Sequence, residues 1–138
     1  MATIFTIKYG ENLTETFMVT SDKFQLRNES YYLALEDDKV VTNAKVILTK
    51  NMNYQTSYWR ILQSTTTNKI CLYNEKSKNF ITVSKNNLVT SNLLIDFKNI
   101  KSLEVWPTDL WIPKANNSHE TKITFTNLGD GKGIYGNA

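Results

Sequence analysis

The chain has 138 residues, of which 41% are hydrophobic and 12% aromatic, with a single cysteine and a net charge of +3. That composition excludes a disordered chain, and the length predicts one domain, residues 1–138, able to bury a core without staples. Cys71 alone excludes an internal disulfide framework, and lysines scattered along the chain give no clustered basic footprint, so no nucleic-acid partner is expected.

From the N-terminus, Ile4-Phe5-Thr6-Ile7 and Thr16-Phe17-Met18-Val19 read as two strands around the turn Tyr9-Gly10-Glu11-Asn12. Phe24 and Leu26 then alternate with Gln25 and Arg27 and end at Asn28, the period-two pattern of a half-buried strand. A polar turn at Glu29-Ser30 leads to Tyr32-Leu33-Ala34-Leu35, and the acidic run Glu36-Asp37-Asp38 reads as the next turn. Val40-Val41-Thr42 is predicted as a third strand. A long connection, 44–57, carries Val46-Ile47-Leu48 and Tyr54 before Tyr58-Trp59-Arg60-Ile61-Leu62.

The stretch 69–92 repeats this plan. Ile70 and Leu72 alternate with Cys71 and Tyr73 and end at Asn74, which puts Cys71 on the face opposite Ile70 and Leu72. Phe80-Ile81-Thr82-Val83 and Leu88-Val89-Thr90 follow, separated by turns. Phe24 and Ile70 stand 46 residues apart and Val41 and Val89 stand 48 apart, so the second copy carries a short insertion in its first turn, where insertions cost little. A second long connection, 93–106, contains Leu94, Ile95, Phe97 and Ile100 and reads either as a helical turn or as an irregular strand. Leu110-Trp111-Ile112 is the second tryptophan strand, and Pro107 and Pro113 around it point to an edge or rim. Ile123-Thr124-Phe125-Thr126-Asn127 opens a third unit, which has one more strand at Ile134-Tyr135.

Two four-strand units, plus a third split between the termini, make twelve strands in three repeats. In this pattern the chain resembles the β-trefoil superfamily over nearly its whole length, on its lectin-like or inhibitor-like side. The place of the Gln-x-Trp signature of the ricin-type branch is held here by Tyr58-Trp59-Arg60 and Asp109-Leu110-Trp111. The resemblance implies an all-β barrel with pseudo-threefold repeats, the third repeat shared between the two termini. Its predicted inward residues are Phe24, Leu26, Leu33, Leu35, Val41, Trp59, Ile61, Ile70, Leu72, Ile81, Val83, Val89, Trp111, Ile123 and Phe125. The alternative fold is an irregular antiparallel sandwich or extended sheet.

Catalytic signals are sparse. His119 stands in a polar loop and Cys71 on a strand, without local support for a nucleophile and base. Glu36-Asp37-Asp38 lacks the spaced ligands of a cation loop, and Gly129–Gly133 lacks the Gly-Lys-Ser/Thr ending and the following helix of a phosphate loop. The reading is therefore a non-enzyme, with no cofactor and no metal site expected. The aromatics carry more. A ring that packs on the apolar face of a sugar, with an amide or carboxylate beside it for the hydroxyls, is the chemistry of sugar recognition. The candidate ligand-binding residues are Trp106, Asp109, Tyr54, Tyr73 and Asn74. Trp59 and Trp111, at matching places in the repeat, are predicted core plugs, and Asn28, Asn74 and Asn127 end the first strand of each unit as turn formers.

The leading functional expectation is a carbohydrate-binding, lectin-like module, part of a toxin or defence assembly. The alternative is a protein–protein module, such as a protease inhibitor, a cytokine-like ligand or an accessory subunit of a toxin complex, docking or oligomerising through loops 44–57 and 93–106. No signal peptide and no membrane-spanning stretch is read in the sequence, which predicts a soluble protein, cytoplasmic or released by a non-classical route.

Overall fold

The computed structural model describes residues 4–19, 22–92, 94–95, 102–115, 122–129 and 133–137. Strands β1 (Ile4–Lys8) and β2 (Thr14–Val19) form an N-terminal hairpin. The first repeat holds β3 (Phe24–Gln25), β4 (Arg27–Asn28), β5 (Tyr31–Leu35), β6 (Val46–Thr49) and β7 (Tyr58–Ser64). The second holds β8 (Ile70–Asn74), β9 (Asn79–Ser84), β10 (Asn87–Thr90), β11 (Ser102–Glu104) and β12 (Trp111–Ala115). Strands β13 (Lys122–Asn127) and β14 (Gly133–Asn137) begin the third. Short 3-10 turns occupy Glu36–Asp38, Gln55–Ser57 and Pro107–Asp109.

The ladders close on themselves. β3 pairs with β7, β7 with β8, β8 with β12 and β12 with β13; β13 pairs with β14, and β14 meets β4 through Asn137 and Arg27. The third unit draws on both ends of the chain: β13 and β14 supply its opening, while β2 precedes β3 as β7 precedes β8. The ladder partners of β2 are β1 and β7, and β1 runs parallel to β11.

β8 divides two cores, because all five of its residues are buried. Ile70 and Leu72 face one cluster with Leu33, Leu35, Trp59, Ile81, Trp111 and Phe125, against which Phe24, Leu26, Ile61 and Val83 are packed. Cys71 and Tyr73 face the other, with Phe5, Ile7, Phe17, Leu62, Phe80 and Leu103. The opposite orientation of Cys71 read from the alternation is thus realised, but its face is a second core and not solvent.

The repeat is kept by matching hydrogen bonds. Trp59 Nε1 donates to the Leu33 carbonyl at 2.9 Å, and Trp111 Nε1 donates to the Ile81 carbonyl at 3.2 Å. Asn74 Nδ2 donates to the Thr56 carbonyl at 2.8 Å, and Asn127 Nδ2 to the Thr108 carbonyl at 2.7 Å. Each asparagine also closes its own turn, accepting from the Ser77 and Gly129 amides at 3.0 and 2.9 Å. Buried polar groups are costly unless paired; here the tryptophans tie their strands to β5 and β9, and the asparagines tie theirs to the 3-10 turns.

Some expectations change in detail. Val40-Val41-Thr42 is not a strand, and Val41 is 56% exposed, so it leaves the inward set. Asp37 and Asp38 both take left-handed φ (57° and 54°), and the Asp38 carboxylate accepts the Thr56 amide at 2.8 Å and hydroxyl at 2.7 Å. This anchor turns residues 39–43 outward, and the third strand forms later, from the apolar triplet at Val46, inside the expected 44–57 connection. In 93–106 strand β11 is described at Ser102–Glu104; Phe97 and Ile100, on which the choice between a helical turn and an irregular strand rests, lie outside the described residues. The edge assignment of the tryptophan strand is local: β12 meets β8 only at Trp111, and Pro113 lies beyond that point with β13 on one side. Val89 is buried, and the Ile123 side chain is outside the described set.

The N-terminal hairpin is clasped to the β7–β8 turn through one carboxylate. Glu15 Oε1 accepts the Ser64 and Thr67 hydroxyls at 2.6 Å each, and Oε2 accepts the Tyr9 hydroxyl and pairs with Lys69 Nζ at 3.2 Å. Burial pushes the Glu15 carboxyl up, but the bonds from Ser64, Thr67, Tyr9 and Lys69 outweigh it and hold it at about 2. The folded pKa lies below the unfolded value, so the stabilisation is present above about 4.5 and is lost as pH falls towards 2. Glu15→Gln is expected to cost about 2 kcal/mol at neutral pH; denaturant unfolding across pH should show mutant and wild type converging in acid. Gly129 lies against the Pro107–Asp109 turn, where an added Cβ would stand 2.7 Å from Thr108 Cγ2 and 2.8 Å from the Thr108 amide. Gly129→Ala is expected to lower stability by about 1–3 kcal/mol in the same measurement.

Candidate functional site

The repeat sets up two equivalent corners. In each, a short 3-10 turn leads into the buried tryptophan: Tyr54-Gln55-Thr56-Ser57 before Tyr58-Trp59, and Trp106-Pro107-Thr108-Asp109 before Leu110-Trp111. Tyr54 and Trp106 therefore hold matching positions, as do Ser57 and Asp109.

The first corner is closed by its own hydrogen bonds. Ser57 Oγ donates to the Tyr54 carbonyl at 2.7 Å and accepts from Gln25 Nε2 at 2.9 Å. Gln25 Nε2 also reaches the Met52 carbonyl at 2.9 Å. Burial acts to raise the Asp38 carboxyl, but bonds from Thr56 and Gln55 and the nearby Lys76 prevail and hold it below its usual range. The whole corner is satisfied by protein groups.

The second corner is open. Cys71 stands where Gln25 stands in the first repeat, and a thiol cannot reach out as the amide does. Asp109, 4% exposed, replaces Ser57; its Oδ2 accepts the Trp106 amide at 2.9 Å. Its Oδ1 has no hydrogen-bond partner, nor does Ser91 Oγ. Burial pushes the Asp109 carboxyl up, against the Thr82 hydroxyl and the Trp106 amide, which work the other way. Beside it opens a cleft of about 450 Å³. Its lining is mostly polar: Asn43 from the displaced loop, Thr82 and Ser84 from β9, Ser91 and Asn92, Thr108, and the carboxyl groups of Glu104 and Asp109. Trp106 borders it and is 76% exposed, a large apolar surface left facing water.

Of the five sequence candidates, the structure brings Trp106 and Asp109 together in this cleft. Tyr54, half-buried, sits at the equivalent corner and outside the cleft. Tyr73 is buried; its hydroxyl donates to the Ile95 carbonyl at 3.1 Å and its ring meets Phe80 edge-on. Asn74 is fully buried and braces Thr56 as described above. The cleft residues Glu104, Asn43, Ser91 and Asn92 were not singled out in the sequence. Strand alternation does carry a signal for Glu104: Leu103 and Val105 are buried, and Glu104 and Trp106 face out.

The Cys71 thiol is fully buried, and burial, with the Asp109 charge adding, pushes it well up, which suits core packing and not attack. His119, the other half of a cysteine–histidine pair, lies outside the described residues. Glu36-Asp37-Asp38 forms a turn whose Asp38 is spent on Gln55 and Thr56, and no group of three metal-ligating side chains occurs among the described residues. Among those residues, no helix is long and apolar enough to cross a membrane.

No family model matches the chain, and no curated protein matches it in sequence. Solved structures do match its shape. The chain is similar to a designed 3-fold symmetric protein, ThreeFoil, with a TM-score of 0.62 at 13% identity, over 80% of this chain and 76% of that one. It is also similar to part of a mosquitocidal holotoxin, with a TM-score of 0.61 at 15% identity, over 82% of this chain but 13% of the toxin's. The fold is a β-trefoil.

Asp109 makes a pH prediction with a definite sign. Its folded pKa is raised above the ordinary 3.8, so ionisation opposes folding once pH exceeds that value. Asp109→Asn, which keeps an acceptor for the Trp106 amide, is expected to be more stable than wild type at neutral pH. The gain should vanish below about pH 3.8 in denaturant unfolding across pH.

Proposed function

We propose that this chain is a non-enzymatic binding module whose cleft takes a carbohydrate in a lectin-like manner, as one component of a larger toxin or defence assembly. The observation that carries the reading is Trp106, solvent-facing at the rim of a polar cleft. An indole face packs on the apolar side of a pyranose, and the surrounding amide, hydroxyl and carboxyl groups supply partners for its hydroxyls. Trp106 is the stacking residue. Asp109 acts by holding the Trp106 amide, Tyr73 acts from behind by fixing the Ile95 carbonyl, and Asn74 braces the Gln55–Ser57 turn of the closed corner. Tyr54 belongs to the equivalent, closed corner. Fold similarity to a segment of a holotoxin supports the assembly part of the reading.

A second reading has its own support. Leu48 and Met52 in the 44–57 connection, Val40 and Val41 just before it, and Leu94 in the 93–106 connection are all exposed apolar side chains. Such surface favours a protein–protein module.

A glycan array with the full chain separates the two. Saturable, sugar-competable binding is expected, and Trp106→Ala should weaken it at least about tenfold by titration, the loss of a stacked aromatic contact, while melting stays as in wild type. Silence across the array would sink the carbohydrate reading and bring the protein-binding one forward.

A further inference from the structure

We infer that the cleft selects its sugar by charge, taking a residue that carries a protonated amine over a neutral one and refusing acidic sugars. The inference rests on the carbohydrate reading above and deepens it.

The segment from Ser102 to Trp106 is extended, Trp106 included, with φ −86° and ψ 152°. Leu103 and Val105 point into the core against Phe5 and Ile7, so Glu104 and Trp106 share the outer face. Two residues of extended chain separate them by roughly 7 Å. Long side chains on one face at that backbone spacing can bring a carboxylate and an indole face to the same ammonium group, with an ion pair on one side and the ring's negative face on the other.

Glu104 is exposed and forms no ion pair among the described residues. Among the described residues, no Lys, Arg or His lines the cleft. Lys8 stands opposite Glu104 in the β1–β11 register and forms no ion pair with it. Asp109 adds a second carboxyl, and the other polar lining groups are neutral amides and hydroxyls. The cleft is thus locally acidic in a chain of net charge +3. A uronate or sulfate would meet like charge from the described lining, which disfavours binding.

The test uses the full chain and four β1,4-linked tetramers of matched length, of glucosamine, glucose, N-acetylglucosamine and a uronic acid. Affinities are measured by calorimetry at mildly acidic pH and low salt, where the sugar amine is charged. The glucosamine tetramer is expected to bind at least about fivefold tighter than the glucose tetramer, since a charge-assisted bond replaces a neutral one. The uronate should bind more weakly than glucose. Added salt should shrink the amine preference. Glu104→Gln should bring the two affinities to within about twofold; because Glu104 is exposed, its melting temperature should match wild type. Glu104→Lys, the second variant, should reverse the order of glucosamine and uronate. Equal binding of glucosamine and glucose, a preference that survives Glu104→Gln, or uronate binding as tight as glucose would each overturn the inference while leaving the sugar reading intact. Silence of all four tetramers removes the sugar reading and the inference together.

Discussion

The buried tryptophan N–H is the interaction on which this fold turns. Trp59 and Trp111 fill the core between repeats, and each spends its single donor on a carbonyl of the preceding hairpin, at Leu33 and at Ile81. An indole that size buried without a partner would forfeit much of what its area gains. With the partner in place, the tryptophan fixes the hairpin's height over the barrel. Asn74 and Asn127 complete the arrangement by holding the 3-10 turn that delivers each tryptophan to its strand. The geometry of both corners follows from these paired bonds, because the turn, its first residue and its last residue are all positioned by them.

What could be read in the sequence was what repeats. Period-two alternation found most of the strands, and the twofold echo of apolar-x-apolar-x-Asn and of the tryptophan strand found the repeat. The failures share a cause. Val40-Val41-Thr42 has strong strand propensity, but Asp38 is committed to Thr56 and both aspartates adopt left-handed backbone, so a distant hydrogen bond overrides local preference. The second core behind β8 was hidden for a similar reason: Cys71 and Tyr73 read as an outer face, and residues distant in sequence, from the N-terminal hairpin to Ile95, β11 and Leu110, cover it.

The site was legible in one half. An aromatic beside an acid in a proline-marked turn is visible in Trp106 and Asp109. The polar lining is not, since Asn43, Ser91 and Asn92 come from connections whose path depends on where β6 and β11 form. Tyr73 and Asn74 look like surface groups in the sequence because asparagine and tyrosine are often found outside. Here their polar atoms are consumed by Ile95, Thr56 and Ser77.

The pseudo-symmetry also explains why the two corners differ. A repeat protein built from equal units would present equal corners. In the first, Gln25 and Ser57 form a pair that closes the space with protein hydrogen bonds. In the second, Cys71 and Asp109 occupy those places, and neither can satisfy the other: the thiol is a weak donor in an apolar core, and the carboxyl keeps one oxygen unpartnered. The exchange costs stability at Asp109, where burial disfavours the charge. A corner that gives up internal satisfaction, keeps its aromatic in water and opens a polar cleft is where the fold departs from its own symmetry, and the proposed ligand site rests on that departure.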